Sequence, residues 1–389
     1  MKRNLLLTPG PTQLPIEVCA ALSRPIIHHR TTQYQDNLRV AVEGLKYVFQ
    51  TRHDVFILTS SGTGGMEASV VNFLSPGDKV ITVESGKFGE RWTEICKANG
   101  IHPRVISVKW GQAVGPHQVR ETLDEEKDIK AVFVTLCETS TGVTTNIKAL
   151  GEVVRGTGAL LVVDAVSGLG VTDLQMDNWG VDVAVAASHK GLMLPPGLAF
   201  VAVGAKALAL MEKAASPRYY FDLRKAKKAA EKTDTPFTSA IGLVIALNEG
   251  LRLIKERGLD RQLSHCARLA RATREAVTAM GLKLFPHPQA LSNVVTAVCV
   301  PKGVDGAKLV KVMRDEHGIT MAGGQEELKG KIFRIAHMGC LDEYDILTGI
   351  SCLEKVLHTM GYPFSLGAGV AAAQKVLNVE ENVVTGVSR

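Results

Sequence analysis

The chain has 389 residues, which is long for a single hydrophobic core and predicts two domains. Hydrophobic residues make up 46% and charged residues 22% of the sequence, as in soluble globular proteins. The net charge of +6 is spread along the chain, and its one local cluster, Arg224–Lys228, lacks interleaved aromatic residues. We therefore expect no nucleic-acid partner.

Cysteine usage and hydropathy predict the compartment. The seven cysteines are odd in number and show no paired spacing, and the sequence contains neither a CxxC nor an HExxH motif. This pattern predicts reduced thiols and no metal site. Because no N-terminal signal and no long apolar span are found, we expect a cytoplasmic protein without a membrane partner.

Short apolar runs alternate with amphipathic stretches from Val55 to about Gly204, which predicts an α/β fold with a mostly parallel sheet covered on both faces. The expected strands are Val55–Leu58, Lys79–Val83, Val105–Val108, Ala131–Leu136, Leu160–Asp164, Val181–Ala186 and Leu198–Val203. The expected helices are Gly65–Phe73, Phe88–Ala98, Val119–Glu126 and Leu150–Arg155. The last three strands have less helix between them, so at least one should be antiparallel.

The second half of the chain predicts a smaller α+β unit. Two long helices are expected over Phe237–Glu256 and Leu263–Met280. Beyond them we expect the strands Asn293–Val300 and Lys331–His337, and the helices Gly306–Glu316, Asp342–Met360 and Gly369–Leu377. The predicted divisions are an N-terminal segment (1–20), a large domain (21–255), a small C-terminal domain (256–365) and a tail (366–389).

Lys190 and Asp164 are the most informative residues, because each follows a buried apolar run. A lysine at the mouth of a buried strand is poorly solvated, so its amine can lose a proton and attack an aldehyde. A carboxylate at the end of a neighbouring strand can keep a ring nitrogen protonated. Pyridoxal 5'-phosphate (PLP) chemistry needs this pair. The alternative is two strand-end polar residues without chemistry.

Other segments at the same predicted sheet edge suit an anionic cofactor. Ser60–Gly65 is a glycine-rich turn that opens a helix, where backbone N–H groups bind phosphate, although a plain strand-to-helix turn looks similar. Glu138–Gly142 places hydroxyl groups at a strand end, for a ring oxygen, for a substrate or simply for a polar turn. Phe88, flanked by Gly86 and Gly89, can stack on a ring or belong to the core.

Arg334 is a charged residue inside an apolar strand of the smaller unit. Arginine is seldom buried without a partner, and its planar fork matches a carboxylate through two hydrogen bonds. We therefore consider it a candidate clamp for a substrate carboxylate. A structural salt bridge is the alternative explanation.

From about Leu5 to about Gly361 the chain resembles the class V aminotransferases, most closely the alanine–glyoxylate/serine–pyruvate branch. The matching segments are Thr8–Thr12, Ser61–Gly64, Glu138–Gly142, Val163–Ser167, Ser188–Gly197 and Thr235–Pro236. The resemblance implies PLP-dependent transferase fold type I. It also implies a homodimer with active sites at the subunit interface.

The resemblance assigns roles to individual positions. It makes Lys190 the lysine that forms the Schiff base and Asp164 the partner of the pyridinium nitrogen. It assigns cofactor contacts to Thr63, Gly64, Gly65, Phe88, Thr139, His189 and, from the other subunit, Thr235. Arg334 becomes the clamp for the substrate carboxylate, and Gly10 lies on the N-terminal segment that lines the substrate.

Three positions depart from the pattern of the family. Phe88 stands where tryptophan is frequent, His189 replaces a glutamine beside the lysine, and Lys232 stands where some relatives have a phosphate-binding tyrosine. These departures bear more on the substrate than on the cofactor.

The function implied is transfer of an amino group between small 2-amino acids and 2-oxo acids, from serine or alanine to glyoxylate or pyruvate. Two alternatives stay open. One is a PLP-dependent lyase such as a cysteine desulfurase, for which Cys340 is the thiol near Arg334 in the sequence. The other is a non-catalytic interaction subunit that retains the fold.

Overall fold

The computed structural model describes residues 4–378. The strands are β1 (Leu5–Leu7), β2 (Asp54–Ser60), β3 (Lys79–Glu84), β4 (His102–Ser107), β5 (Ile129–Thr135), β6 (Cys137–Glu138), β7 (Val143–Thr144), β8 (Leu160–Asp164), β9 (Val183–Ala187), β10 (Gly197–Val203), β11 (Val295–Cys299), β12 (Ile319–Gly323) and β13 (Ile332–Ala336). The α-helices are α1 (Ile16–Leu22), α2 (Thr32–Phe49), α3 (Gly62–Val71), α4 (Lys87–Ala98), α5 (Pro116–Glu125), α6 (Ile147–Val154), α7 (Ala205–Met211), α8 (Leu223–Ala230), α9 (Ile241–Arg257), α10 (Leu259–Ala279), α11 (Gly306–Asp315), α12 (Glu343–Thr359) and α13 (Ala368–Leu377).

The larger sheet has seven strands in the order β2-β10-β9-β8-β5-β3-β4. The pairs from β9 through β4 are all parallel, whereas β10 is antiparallel to both of its neighbours. The predicted α/β fold with one antiparallel strand among the last three is therefore confirmed. Because β2 runs in the same direction as β9, the carboxyl ends of all strands except β10 lie at one edge, where ligands of such sheets bind.

The buried strand residues divide between two cores according to the alternation of side chains along a strand. In β8, Leu160 and Val162 belong to the core beneath α3 and α4, whereas Leu161 and Val163 belong to the core beneath α2, α6 and α9. The first of these cores contains the buried Trp92 ring, 4.8 Å from the ring of Phe133 between centroids. Helices therefore cover both faces, and the sheet edge is left for the site.

A second sheet of four strands, in the order β1-β12-β13-β11, forms the smaller α+β unit. The strands predicted at β11 and β13 are present. β1 and β12 were not predicted, and they pair in parallel with Leu5 opposite Ile319. The N-terminal segment thus joins the smaller sheet although it is distant from that sheet in sequence. The domain limits at residues 20, 255 and 365 stay a prediction, and residues 379–389 of the tail lie outside the described part.

The helix expected from Phe237 begins at Ile241 instead, and this prediction is corrected. The Phe237 ring stacks on that of Tyr220 with centroids 5.2 Å apart and an interplanar angle of 8°. The Phe237 carbonyl accepts a hydrogen bond from Thr235 Oγ1 at 2.8 Å. These contacts hold the segment outside the helix. Within residues 4–378, no helix has the length and apolarity needed to span a membrane.

We expect Gly65→Ala to destabilise the fold by about 1–3 kcal/mol, since overpacking a filled interface forces neighbouring atoms apart. An added Cβ at Gly65 would lie 2.8 Å from Val185 Cγ1 and 3.2 Å from Ala199 Cβ, where α3 meets the sheet. The control is Gly242→Ala in α9, where an added Cβ meets nothing within 4 Å. It should leave the free energy of unfolding unchanged or raise it slightly. Denaturant unfolding followed by circular dichroism measures both, and equal midpoints would contradict the packing argument.

Candidate active site

The carboxyl edge of the larger sheet brings together residues from five segments. Asp164 is the last residue of β8, and Lys190 follows β9 by three residues. Thr63 and Phe88 are each the second residue of the helix that follows a strand ending at this edge, in α3 after β2 and in α4 after β3. Thr139 directly follows β6. The topology thus places at one edge the segments that the sequence singled out.

Lys190 is buried, with 8% of its surface exposed, and it is covered by the N-terminal segment. Its Nζ donates a hydrogen bond to the carbonyl oxygen of Pro9. Thr12 Oγ1 donates to the Lys190 carbonyl at 3.1 Å. Gly10 has a φ of +116°, and a Cβ added there would lie 2.4 Å from Lys190 Nζ. The position of Gly10 beside the lysine therefore requires glycine.

Burial changes the protonation of both Lys190 and Asp164. Loss of solvent lowers the pKa of Lys190 to about 8, against the opposing effect of the Asp164 charge. Loss of solvent raises the pKa of Asp164 to about 6, although Asp164 Oδ1 accepts a hydrogen bond from Val166 N at 2.8 Å. Near pH 7 the carboxylate is mostly ionised, and a useful fraction of the amine is neutral. These are the states that the predicted chemistry needs.

The glycine-rich turn is shaped first by packing. A Cβ at Gly64 would lie 1.9 Å from Ser60 Oγ, and Gly65 has the strand contacts already described. Thr63 is exposed at the start of α3, and Ser61, at the N-cap, makes no side-chain cap hydrogen bond. The first N–H groups of a helix attract anions, so this helix start remains a candidate phosphate site.

Arg91 is a charged residue of this region that the sequence reasoning missed. Its Nη1 donates to Thr63 Oγ1 at 3.3 Å, and its guanidinium carbon lies 4.9 Å from the ring centroid of the half-buried Phe88. Its position one helical turn after Phe88, three residues on, was the available signal. Arg91 therefore adds positive charge beside the helix start.

Arg334 on β13 connects the smaller sheet to the site. It is 5% exposed, its Nη1 donates to the Thr139 carbonyl at 2.7 Å, and its Nε and Nη2 donate to the Gly323 carbonyl at 2.9 and 2.7 Å. Burial lowers its pKa to about 10, so the group stays charged. All these hydrogen bonds go to neutral carbonyl groups. The Glu138 charge opposes the effect of burial on its pKa, and a carboxylate ligand would add a counter-charge that is hydrogen-bonded to the guanidinium.

His189 and Thr235 occupy different surroundings. The Nδ1 atom of His189 is buried and has no hydrogen-bond partner within residues 4–378. Burial lowers the pKa of His189 to about 4, so its ring is neutral. Thr235 is half-buried on the segment between α8 and α9, where its carbonyl accepts from Arg30 Nη1 at 3.0 Å. Its hydrogen bonds are to residues other than those grouped around Lys190.

The family model for class V aminotransferases matches residues 5–337, and the chain belongs to this family. It is 38% identical to an L-aspartate–glyoxylate aminotransferase of Paracoccus denitrificans, over 96% of both chains. It is 37% identical to a serine–glyoxylate aminotransferase of Methylorubrum extorquens, again over 96% of both. A relative with a different name, the small subunit of a soluble hydrogenase of Synechococcus, is 43% identical over 97% of this chain and 99% of that one.

Solved structures agree with the fold. The ureidoglycine–glyoxylate aminotransferase of Bacillus subtilis superposes with a TM-score of 0.93 at 28% identity, covering 97% of this chain and 98% of that one. The alanine–glyoxylate aminotransferase of Nostoc superposes with a TM-score of 0.88 at 30% identity, covering 92% and 96%. The chain therefore has the type I fold of PLP-dependent transferases, as the resemblance implied.

PLP is the cofactor of this family, and the residues at the sheet edge fit it. The Nδ1 atom of His189 is buried without a hydrogen-bond partner among the described residues, so it can form a hydrogen bond with a bound group. The start of α3, with Thr63 and Arg91, suits a phosphate group. The buried pair Asp164 and Lys190 suits a ring nitrogen and an aldehyde.

In the apoprotein, we expect the reactivity of Lys190 toward an acylating reagent to rise with pH around a midpoint near pH 8, because burial disfavours the charged amine. Asp164→Asn should lower this midpoint, because the Asp164 charge favours the protonated amine. Competitive labelling followed by peptide mass spectrometry measures the midpoint. A wild-type midpoint above pH 10 would show that the lysine is not desolvated.

Proposed function

We propose that the protein is an aminotransferase that moves an amino group from serine or alanine to glyoxylate or pyruvate, with PLP as its cofactor. The observation that carries this proposal is the buried pair Lys190 and Asp164, which lies within electrostatic range of the buried Arg334, whose guanidinium donates to the carbonyl oxygens of Thr139 and Gly323. The glyoxylate aminotransferases among its relatives support small 2-oxo acids as acceptors.

Lys190 is the residue that moves protons in this proposal. When bound, PLP supplies an aldehyde that amines attack and a cationic ring that withdraws electrons. Nζ of Lys190, in its neutral form, takes the α proton from the amino acid and later returns it, as general base and general acid. A pKa of about 8 suits both tasks, since the group is within reach of either state near neutral pH.

The surrounding residues bind and orient. The Asp164 carboxylate holds a proton on the ring nitrogen by its negative charge, which is in place before any reaction. Arg334 binds the carboxylate of the amino acid through two parallel hydrogen bonds. Thr63, Gly64 and Gly65 would hold the phosphate, His189 would contact the cofactor, Phe88 would stack on the ring, and the Thr139 hydroxyl would bind the ring oxygen. Pro9 and Gly10 cover Lys190 and limit the entry of water.

The proposal includes a cytoplasmic homodimer in which Thr235 completes the site of the other subunit. Thr235 makes its contacts at the segment between α8 and α9, beside the exposed aromatic residues Tyr219 and Tyr220. A threonine held by Arg30, away from the lysine of its own chain, suits a role in a neighbouring subunit.

Thiol chemistry favours transamination over the lyase alternative. Cys137 interacts electrostatically with Asp164 and Lys190, but burial raises its pKa to about 12. Desolvation, together with Asp345, also raises the pKa of Cys340. Raised pKa values suppress the thiolate that a desulfurase needs.

The wild-type protein with PLP should show an absorbance band that changes when serine or alanine is added without an acceptor. Steady-state kinetics with glyoxylate should give parallel double-reciprocal lines, since the two half-reactions alternate. Lys190→Ala should lower kcat by about 10²–10⁴-fold. Borohydride reduction should attach the cofactor to the peptide containing Lys190. A protein that stays colourless with PLP would favour the non-catalytic alternative, and a label on another lysine would contradict the assignment.

Mixing two inactive variants tests the shared site. Lys190→Ala and Thr235→Glu should each be inactive as homodimers, the second because its charge repels phosphate. At equal mixing, about half of the dimers contain one chain of each variant, and one of the two sites in each of these dimers has both Lys190 and Thr235. About a quarter of all sites should therefore be intact, and about a quarter of the wild-type activity should return. Activity that stays at the level of the separate variants, despite exchange of subunits verified by native mass spectrometry, would argue against the shared site.

A further inference from the structure

We propose that Glu138 is a positioning residue that fixes Phe88 against the cofactor ring by capping α4 from a neighbouring turn. The inference rests on the proposed function, because the ring-stacking role of Phe88 belongs to that proposal. It adds a residue that acts through Phe88 and needs no contact with the substrate. The observation behind it is a carboxylate that is 0% exposed within hydrogen-bond reach of the start of α4.

Both oxygens of the Glu138 carboxylate are used. Oε2 accepts from the backbone N–H groups of Phe88 and Gly89 at 2.9 and 3.0 Å. Oε1 accepts from the N–H and hydroxyl groups of Ser140 at 3.1 and 2.5 Å. Four donors therefore form hydrogen bonds with this side chain. These bonds offset the loss of solvent, which raises the pKa of Glu138.

The helix that carries Phe88 has no cap of its own. Its N-cap residue is Gly86, which lacks a side chain. The N–H of Lys87 donates to Ser140 Oγ at 3.1 Å, so the turn 138–140 accepts from the first three N–H groups of α4. A negative charge at this end of a helix also interacts favourably with the helix dipole.

Glycine at position 86 is explained by the same contact. An added Cβ would lie 2.4 Å from Ser140 Oγ and 2.5 Å from Glu138 Cγ. The absence of a side chain at the N-cap therefore lets Glu138 reach the helix. Phe88, the predicted stacking residue, is thus held through its own backbone N–H in the first turn of α4.

A glutamine at position 138 would keep the shape of the side chain but lose part of its capacity to accept hydrogen bonds. A carboxylate accepts on both oxygens, whereas an amide has one oxygen and an NH₂ group that cannot accept. Either the pair of N–H groups at Phe88 and Gly89 or the Ser140 N–H would face that NH₂ group. The start of α4 should loosen, and Phe88 should spend less time in its stacking position.

The chain offers a matched control in Glu354. This residue is 4% exposed, and it accepts from the N–H groups of Gly367, Gly369 and Val370 at 2.8, 2.6 and 3.2 Å, at the start of α13. Glu354→Gln thus disturbs a buried carboxylate cap in the smaller unit. Comparing the two variants separates loss of a cap in general from loss of the cap that carries Phe88.

The experiment compares Glu138→Gln and Glu354→Gln with the wild type. Hydrogen exchange of the apoproteins should become faster in the peptide that contains residues 86–90 only for Glu138→Gln. The dissociation constant of PLP, followed by absorbance, should rise about tenfold or more for Glu138→Gln and less than twofold for Glu354→Gln. Ser140→Ala, which removes one acceptor, should change both quantities in the same direction by a smaller factor.

Three results would overturn the inference. The first is wild-type exchange and PLP affinity in Glu138→Gln. The second is an equal loss of PLP affinity in both glutamine variants. The third is full additivity with Phe88→Leu, since a residue that acts through Phe88 should have little effect once that ring is gone. If wild-type protein binds no PLP, the proposed function fails too, whereas the first three results leave that function intact.

Discussion

Desolvation of two opposite charges at one sheet edge is the constraint on which the site depends. Burial moves the pKa of Asp164 up to about 6 and that of Lys190 down to about 8. In the folded state, ionised Asp164 contributes its full desolvation cost above about pH 6, and protonated Lys190 contributes its full desolvation cost below about pH 8. Between these values both groups are mostly charged, and both desolvation costs lower the free energy of unfolding. Burial of the apolar strands around the two groups offsets these costs.

Arginine at position 334 extends the same principle to the smaller sheet. Its guanidinium is buried, and it is held by the carbonyl groups of Thr139 and Gly323. Neutral carbonyl groups satisfy its hydrogen bonds but do not cancel its charge. The two sheets therefore meet at the Arg334 guanidinium, which its hydrogen bonds orient before a ligand binds. The turn that contains Thr139 also holds the start of α4 through Glu138, so one short segment connects the parts of the site.

Much of this arrangement could be predicted from the sequence because it depends on strand ends. In a parallel sheet the carboxyl ends share an edge, so locating the apolar runs before Asp164, Lys190 and Thr63 was enough to group these residues. β1 and β12 could not be predicted, since β1 has only three residues and the pairing of Leu5 with Ile319, more than 300 residues away, leaves no local pattern in either segment. The hydrogen bonds of Glu138 and the direction of Arg91 depend on side-chain geometry, which no local pattern encodes. Which residues hold cofactor and substrate stays a prediction.

The parallel pairing of β1 with β12 has a consequence for the order of assembly during translation. The segment around Pro9 leaves the ribosome about 300 residues before the strand that anchors it, Ile319–Gly323. The larger sheet can form before that point, as domains tend to do during synthesis. In a nascent chain that ends before β12, the Lys190 amine would therefore lack the cover of the N-terminal segment that contains Pro9 and Gly10.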